Sequence, residues 1–414
     1  MKAKRTTQLN TISAVTLCIA SWGAQAEPGT LSDTPLFLST NVPANIFFLI
    51  DDSGSMDWEI LLSNQALNLY PGATHHYHYF DFGHPDDDNE IRTLCPGFNV
   101  LAYDPSKTYT PWLGRDNNGN TFQNMTVGAA RTNPSFTGTT NVSAHFYIEW
   151  KDDGDGVLEL GECPIPTGYG GSLSNAECAA SNDCVRVQDL TPIEQDNYAN
   201  WFTYYRNREF VAKRALSEII TNSTARMGLA TLWNNNNVRT LITDVDDITT
   251  PIDLTAQANK QNLLQNLFDI NSSGGTPLRQ RLEDVGNYYE GNNPGWGPSP
   301  ILSAADGGEC QQNFTIVMTD GLWNGGNPAI HEADSDGNTA WDGGLYADAN
   351  NDANSSHTLA DVAMHYYERD LDTTLGNNVR TITGVDDNDT QHMVTYSVAF
   401  GVTGNLDPTI NPGD

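Results

Sequence analysis

The sequence predicts an α/β fold, in which a mostly parallel sheet carries helices on both faces and is interrupted by a long irregular insertion. Short, nearly continuous apolar runs recur along the chain and end at glycine, proline or aspartate, as in strands that are buried on both faces. Segments with apolar residues at helical spacing alternate with these runs. Such alternation is typical of parallel sheets covered by helices.

The first predicted strand covers residues 45–50, NIFFLI, which follow Pro43 and lead into a cluster of aspartate, serine and glycine. A short helix is expected over residues 58–69. The pattern then breaks down over residues 71–195, which are rich in glycine, proline, asparagine and aspartate. Because so long a stretch without periodicity is uncommon inside a compact domain, we interpret it as an insertion.

Periodic patterns return after the insertion. Helices are expected where apolar residues recur at three- and four-residue spacing, over residues 197–222, 255–270, 277–289 and 358–371. Buried strands are expected over residues 226–233, 239–245, 313–319 and 392–402. Thr276 is predicted at the cap position of the third helix, with Pro277 in its first turn. A second loop-rich insertion covers residues 321–356.

The first 26 residues are predicted to be a signal peptide. Basic residues at the start precede a short apolar stretch, and Ala24-Gln25-Ala26 is a small-residue cleavage site. The apolar stretch is too short for a confident membrane span, and no transmembrane helix is predicted in the mature chain; an uncleaved anchor is the alternative. The chain then divides into four parts: the signal peptide 1–26, the start of the domain 27–70, the insertion 71–195 and the remainder of the domain 196–414.

The chain is strongly acidic, with 20 basic and 52 acidic residues. Loss of Lys2, Lys4 and Arg5 with the signal peptide leaves 17 basic residues against 52 acidic ones, a net charge of −35. Such a surface repels nucleic acid and anionic lipid, so nucleic-acid binding is excluded from the candidate functions. It suits solubility and cation binding, although many of these carboxylates can be plain solvated loop residues.

Five cysteines remain after Cys18 leaves with the signal peptide, and they are expected in a compartment that permits disulfides: Cys95, Cys163, Cys178, Cys184 and Cys310. Five is an odd number, so one thiol is free or pairs outside the chain. Cys178 and Cys184 are close enough in sequence to pair locally, but the connectivity stays open. No CxxC pair is present, which argues against a zinc–thiolate site.

The residues after the first strand form a candidate metal site. Asp51, Ser53 and Ser55 have the spacing D-x-S-x-S and offer only hard oxygen ligands, which suit Mg²⁺, Mn²⁺ or Ca²⁺. Thr276, after a glycine pair, adds a hydroxyl, and Asp320, at the end of another strand, adds a carboxylate. Because the carboxyl ends of parallel strands form the ligand site of such sheets, we expect these groups to converge.

The ligand set is low in charge for a divalent ion, since it has two carboxylates and three hydroxyls. The ion is therefore expected to keep water and to accept an acidic group of a partner as its final ligand. Each part also has a simpler interpretation: the DDSGS stretch as a turn cluster, Thr276 as a helix cap and Asp320 as a turn residue.

Three segments in this order, FFLIDDSGSM, SGGTPL and IVMTDG, resemble the metal-ion-dependent adhesion site (MIDAS) of von Willebrand factor A (vWA) domains, whose fold is Rossmann-like. The resemblance spans roughly residues 44–405. It implies that one divalent cation is held by Asp51, Ser53, Ser55, Thr276 and Asp320. Asp320 would bind the ion directly or through a water molecule.

Longer segments are similar to the amino-terminal region of PilY-type adhesins at the tip of bacterial type IV pili: NYANWFTYYRNREFVAKRAL, CQQNFTIVMTDGLWNGG, TLADVAMHYYERDL and QHMVTYSVAFGV. This similarity implies a secreted, calcium- or magnesium-dependent protein of the cell surface and pilus tip, reached through the periplasm or outer membrane. The implied partners are minor pilins and a host-cell or abiotic surface. The family usually continues into a β-propeller linked to pilus retraction. This chain ends at Asp414, so we expect pilus association and adhesion without retraction control, and a vWA domain that lacks its final strand and helix.

The stretch KDDGDGVLELGE resembles an EF-hand calcium loop. Asp153, Asp155, Gly156 and Glu162 occupy expected places, but Lys151 stands where the first aspartate belongs. A second calcium site at this loop is therefore one interpretation, and a solvated acidic turn is the other. Two further acidic stretches, DSDGN and DANND, are interpreted as plain polar loops, and HHYHYFDFGH as a packed or disordered loop rather than a metal site.

No catalytic pattern accompanies the candidate metal site. The sequence has no G-x-S-x-G elbow, no G-x-x-x-x-G-K-[ST] loop and no H-E-x-x-H motif, and no histidine is placed by sequence to act as a base. We therefore expect a protein without enzymatic activity, which binds a surface or protein ligand through the cation. The alternatives are a docking module that organises minor pilins and, with less support, a metal-assisted hydrolase.

Overall fold

The structure is a computed structural model, and it describes residues 42–62, 64–70, 72, 88–116, 118–166, 173–234, 239–247, 251–321, 323–334, 336–341 and 357–400. The predicted signal peptide, the histidine-rich stretch, the DANND stretch and the chain beyond residue 400 lie outside these residues.

The described residues contain strands β1 (Asn45–Ile50), β2 (Ala130–Arg131), β3 (Thr139–Thr140), β4 (Phe146–Tyr147), β5 (Val185–Arg186), β6 (Arg226–Thr231), β7 (Arg239–Asp244), β8 (Asn313–Thr319) and β9 (Met393–Ala399). The helices are α1 (Asn64–Leu69), α2 (Asp88–Arg92), α3 (Asn175–Ala180), α4 (Pro192–Tyr204), α5 (Arg208–Asn222), α6 (Leu254–Phe268), α7 (Leu278–Tyr289) and α8 (Leu359–Tyr367). No helix of the described residues has the length and apolar character needed to cross a bilayer.

Five strands form one mixed sheet in the order β7-β6-β1-β8-β9. The central strand β1 pairs in parallel with β6 and with β8, and β9 extends the parallel part. Only the edge strand β7 is antiparallel to its neighbour. The prediction of an α/β fold with a mostly parallel sheet is therefore confirmed.

The apolar run of β1 is explained by its burial on both faces. Ile46, Phe48 and Ile50 pack on one face in a core with α4, α5 and α6. Phe47 and Leu49 point to the other face, into a core with α7 and α8. Since each face of a central parallel strand meets a helix layer, every position of the strand is apolar except its first, Asn45.

Two helix predictions need correction. Residues 197–222 were expected to form one helix, but they form α4 and α5 with a break between them. The break arises because the side chain of Asn207 accepts a hydrogen bond from the backbone N–H of Phe210, 2.8 Å away, and so starts a new helix. The short helix expected from residue 58 begins only at Asn64, after a single 3₁₀ turn over Gly54–Asp57.

The segment between β1 and α4 packs against the sheet domain and also has a small core of its own. The indole of Trp112 stacks on the ring of Phe268 in α6, with ring centres 5.4 Å apart. A separate apolar cluster surrounds the disulfide Cys95–Cys163. The second disulfide joins Cys178 to Cys184, the local pair that the spacing allowed, and Cys310 has a free thiol.

Candidate metal centre

Asp51 lies at the carboxyl end of β1, where the chain leaves the sheet. Its backbone N–H donates to the carbonyl of Met318 at 2.8 Å, so β1 and β8 end side by side. Its side chain is fully buried. One carboxylate oxygen accepts the backbone N–H of Ser53 at 2.8 Å, and the other accepts the hydroxyl of Thr319 at 2.7 Å.

Burial raises the pKa of the Asp51 carboxyl, because the charged form loses solvation. Hydrogen bonds from Ser53 and Thr319 oppose this effect, and the nearby carboxylate of Asp320 adds to it. Asp51 and Asp320 follow the adjacent parallel strands β1 and β8. A cation between or beside them would stabilise the charged form of both.

The two serines of the motif lie together in the 3₁₀ turn after β1. The hydroxyl oxygens of Ser53 and Ser55 are 3.1 Å apart. Ser53 is buried, Ser55 is half-buried and Gly54 between them is exposed. The alternation of the D-x-S-x-S motif therefore places its oxygen atoms on one side of the turn, next to Asp51.

The glycine loop before α7 is tied directly to this turn. The backbone N–H of Gly54 donates to the carbonyl of Gly274 at 3.2 Å, and the N–H of Ser273 donates to the carbonyl of Asp52 at 2.6 Å. Gly274 has a φ of +80°, a conformation that favours glycine. These two bonds hold the glycine loop, which leads into Thr276, against the first motif.

Thr276 is not the cap of α7, and this corrects the sequence prediction by one residue. The N-cap is Pro277, and no side chain caps the helix. Thr276 is instead buried and fixed through its backbone, since its N–H donates to the side-chain oxygen of Asn324 at 2.9 Å and its carbonyl accepts the N–H of Asn324 at 2.8 Å. The simpler interpretation of Thr276 as a capping residue is therefore wrong.

Asp320 follows β8 and has a partner that the sequence did not reveal. One of its carboxylate oxygens lies 2.6 Å from a guanidinium nitrogen of Arg208, the first residue of α5. The same guanidinium donates twice to the carbonyl of Ile60, at 3.1 and 2.7 Å. Arg208 thus donates to one oxygen of Asp320, and the other oxygen has no part in this contact and could approach an ion directly or through water.

The neighbouring aspartate, Asp52, has a structural role. Its carboxylate accepts the backbone N–H groups of Trp233 and Asn234, at 2.6 and 3.0 Å, and the side-chain amide of Asn234 at 2.9 Å. Asp52 thus holds the loop after β6 against the end of β1. The two adjacent aspartates point to different partners, and Asp51 is the one directed to the candidate metal site.

The side chains at this edge of the sheet fit a hard divalent cation. They are a buried carboxylate, three hydroxyls and a second carboxylate nearby, and none is a soft ligand. Burial disfavours the charged form of Asp51, and a cation close by would stabilise that form. Thr319, Asn324 and Arg208, which position these groups, were missed by sequence reasoning because they act through contacts distant in sequence.

The EF-hand-like loop contains a group of three exposed aspartates. The carboxylates of Asp152, Asp153 and Asp155 lie within 4.8 Å of one another and are exposed. Asp152, which the sequence analysis left out, accepts the N–H groups of Gly154 and Gly156, both at 3.1 Å. The carboxylate of Glu162 is outside this group of three.

Glu162 instead stabilises the loop from inside. Its carboxylate accepts the indole N–H of Trp150 and the backbone N–H of Glu159, both at 2.9 Å, and the N–H of Asp153 at 3.3 Å. The side chain of Lys151 forms an ion pair with Asp183. Calcium binding by Asp153, Asp155 and Glu162 stays a prediction.

A second acidic group includes Asp334, the first residue of the DSDGN stretch that we interpret as a plain loop. Carboxylate oxygens of Glu332, Asp334 and Asp361 lie within 4.8 Å of one another, and the two aspartates are buried. Asp361 accepts the backbone N–H of Ala333 at 2.8 Å and so ties this loop to the start of α8. This group is distinct from the residues at the end of β1.

Comparison with known proteins finds three curated relatives, each a type IV pilus biogenesis factor PilY1 of Pseudomonas aeruginosa. The protein of strain UCBPP-PA14 is 27% identical over 425 residues, which cover 95% of this chain and 34% of the relative. That of strain PAK is 26% identical over 422 residues, covering 91% and 33%, and that of strain PAO1 is 25% identical over 408 residues, with the same coverage. This chain is thus similar to PilY1 proteins along most of its length.

The resemblance to PilY-type proteins that the sequence motifs indicated is thus confirmed, and it extends over nearly the whole chain. The chain spans about a third of the length of these PilY1 proteins. The PilY1 relatives are named for type IV pilus biogenesis. No protein-family model and no solved structure matches the chain at a significant level.

Proposed function

We propose that this chain is a metal-dependent adhesion module of a type IV pilus tip protein. Its site would hold one Mg²⁺, Mn²⁺ or Ca²⁺ at the end of β1 in a MIDAS-type arrangement. The observation that carries the proposal is the pair of backbone hydrogen bonds, Gly54 to Gly274 and Ser273 to Asp52, that joins the D-x-S-x-S turn to the loop of Thr276.

The fold supports a vWA domain. The sheet is mostly parallel and covered by helices on both faces, and the candidate ligands follow two adjacent parallel strands, β1 and β8. Ligand sites of such sheets lie at the carboxyl ends of the strands. The proposed domain begins with residues 27–70 and resumes at residue 196 after the insertion.

Within the site, each residue would have a separate task. Asp51 supplies the main negative charge, while Ser53, Ser55 and Thr276 supply neutral oxygen atoms. Asp320, already paired with Arg208, adds less charge than a free carboxylate would. The bound cation would supply an electrophilic centre that attracts a carboxylate of the partner.

The proposed location is the exported cell surface and pilus tip. The two disulfides support an oxidising compartment, and similarity to PilY1 supports association with type IV pili and their minor pilins. A host-cell or abiotic surface is the proposed adhesion target.

The alternative of a purely structural docking module is less well supported. In that case the metal would mainly organise the loops, but the loops are already held by protein hydrogen bonds, including three to the carboxylate of Asp52. A hydrolase also has weak support, because among the described residues no histidine forms a hydrogen bond with Asp51, Ser53, Ser55 or Thr276.

The test measures divalent-ion binding to the exported chain by titration calorimetry with Mg²⁺, Mn²⁺ and Ca²⁺. Asp51→Asn and Thr276→Val are expected to weaken binding at least about tenfold while the circular dichroism spectrum is retained. Asp269→Asn, the same change at the exposed C-cap residue that follows α6, is the control and should bind as the wild type does. Ion binding that is unaffected by the first two changes contradicts the proposed site.

A further inference from the structure

Two exposed tryptophans flank the loop that carries Thr276. Trp233 has 51% of its surface exposed and Trp323 has 49%, whereas the other tryptophans of the described residues are buried or half-buried. Trp233 follows β6 and Trp323 follows β8, and these are the two strands that pair with β1. Both exposed indoles therefore lie near the carboxyl ends of the parallel strands, on the same side of the sheet as the candidate metal centre.

The ring of Trp233 packs on the glycine loop. A Cβ atom at Gly274 would come within 2.3 Å of this ring, and one at Gly275 within 3.2 Å. The backbone of Trp233 is held at the same time by its hydrogen bond to Asp52. The indole is thus fixed on one side by the glycine loop and keeps half of its surface in solvent.

The ring of Trp323 is held by an arginine of α7. The guanidinium carbon of Arg279, in the first turn of α7, lies 3.4 Å from the centre of its ring. Arg279 is itself buried and donates to the carbonyl of His357 at 2.6 Å and to the side chain of Asn327 at 3.0 Å. This cation–π contact fixes the indole while leaving half of it exposed.

The glycine loop lies between the two tryptophan-bearing segments. A Cβ at Gly275 would meet the ring of Trp233 on one side and, at 2.5 Å, the side-chain oxygen of Asn324 on another. Asn324 directly follows Trp323 and pairs with the backbone of Thr276. The two indoles therefore border the candidate metal centre from the β6 and β8 sides.

Rigid, half-exposed indoles are the side chains that contribute most to binding at protein interfaces, because little conformational entropy is lost when they are covered. The rest of the molecule restricts the kind of partner. With a formal net charge of −32, it repels a polyanion, so an acidic polysaccharide would gain one ion contact and meet repulsion elsewhere. A ligand with one carboxylate and apolar neighbours avoids this cost.

We propose that the partner of this site is a polypeptide segment in which an acidic side chain is flanked by aromatic or large aliphatic residues. Its carboxylate completes the coordination of the cation, and its apolar side chains pack on Trp233 and Trp323. This inference rests on the proposed function, since it assigns the ligand of the same metal centre.

The experiment uses synthetic peptides of the form GG-X-Asp-X-GG, with X as Phe, Leu or Ser, and polygalacturonate as an acidic carbohydrate. Binding to the exported chain is measured with Mg²⁺ or Mn²⁺ and with EDTA. The Phe and Leu peptides are expected to bind only with metal and at least about tenfold more tightly than the Ser peptide.

Trp233→Ala and Trp323→Ala are each expected to weaken binding of the Phe peptide by about tenfold or more, with unchanged ion affinity in calorimetry. Leu254→Ala, at an exposed apolar residue of α6, is the control and should change neither. This inference alone is overturned if no peptide binds, if the Phe and Leu peptides bind no more tightly than the Ser peptide, or if polygalacturonate binds more strongly than the peptides. It is also overturned if both tryptophan variants bind the Phe peptide as the wild type does. A wild-type chain that binds no divalent ion overturns the proposed function as well.

Discussion

Arg208 and Asp320 form a buried ion pair beside the candidate metal centre, with 2.6 Å between nitrogen and oxygen and each side chain only 4% exposed. The pair connects the start of α5 to the end of β8, next to the carboxylate of Asp51. Arg208 therefore already supplies one positive charge to a region where two aspartates repel each other. This charge balance makes a specific prediction.

Arg208→Met is expected to destabilise the chain in EDTA, since it leaves Asp320 buried without its partner; breaking a buried pair in this way costs about 3–5 kcal/mol. Added Mg²⁺ or Ca²⁺ should restore part of the loss, because an ion at Asp51 compensates both carboxylates. Thermal unfolding with EDTA and with each ion measures both effects.

Arg214→Met is the matched control. Arg214 pairs with Glu218 one turn along α5 at 2.7 Å, but the Glu218 side chain is 56% exposed, so this pair should contribute less than about 1 kcal/mol. Two results would show that the Arg208–Asp320 pair has no link to the metal centre. One is an equal loss of stability in the two variants. The other is that added ions stabilise Arg208→Met no more than they stabilise the wild type.

Gly274→Ala is expected to weaken divalent-ion binding and lower the unfolding temperature. The φ of +80° costs an alanine about 1–2 kcal/mol, and its Cβ would lie 2.3 Å from the ring of Trp233, so the glycine loop would have to move away from the first motif. Gly119→Ala separates the two causes, because Gly119 has a φ of +79° and no atom within 4 Å of the added Cβ. Calorimetry and thermal unfolding of both variants should show the backbone cost in each and the loss of ion affinity only in Gly274→Ala. Equal ion affinity in the two would mean that the position of the glycine loop does not matter for the site.

The end of β1 could be predicted from sequence because its signals are local. An apolar run with no polar position after Asn45 leads directly to Asp51, and the D-x-S-x-S spacing lies within five residues of chain. The pairing of Asp320 with Arg208 has no such signal, since 112 residues separate the two and an arginine at a helix start has many possible partners. Tertiary packing alone selects this one.

The break between α4 and α5 had a local signal that was read incorrectly. Asn207 is a favourable N-cap residue in the middle of an apparently continuous helical pattern, and it divides α4 from α5. In the EF-hand-like loop, the expected register left Lys151 at the first ligand position. The structure instead directs Lys151 to Asp183 and uses Asp152 to organise the turn.

His145 is expected to make the stability of the chain pH-dependent. Burial first, and the charge of Arg206 second, lower the pKa of this histidine from 6.5 to about 4. The unfolded chain therefore binds a proton at His145 between these values while the folded chain does not. The free energy of unfolding is therefore not reduced by this histidine above pH 6.5. It decreases by on the order of 2 kcal/mol as the pH falls towards 4, because the unfolded chain is stabilised by binding the proton.

The measurement is chemical denaturation of the wild type and of His145→Gln at pH 7 and pH 5. Glutamine keeps a polar group near Tyr198, whose hydroxyl lies 3.3 Å from the His145 ring nitrogen, but it does not titrate. The variant is expected to lose less stability on acidification than the wild type. An equal loss in both proteins would show that other groups cause the acid sensitivity.

The two disulfides should contribute unequally to stability, since they close loops of very different length. Cys95–Cys163 joins residues 68 positions apart, and Cys178–Cys184 joins residues 6 apart. In the chain-entropy description, the longer loop restricts the unfolded chain more, by about 2 kcal/mol. The double variant Cys95→Ser/Cys163→Ser is therefore expected to unfold at clearly lower denaturant than Cys178→Ser/Cys184→Ser. Both bonds lie in the apolar cluster of the insertion, so each pair of substitutions introduces the same polar groups into similar surroundings. A larger loss from the short-loop variant would mean that packing around α3, rather than restriction of the unfolded chain, determines what the disulfides contribute.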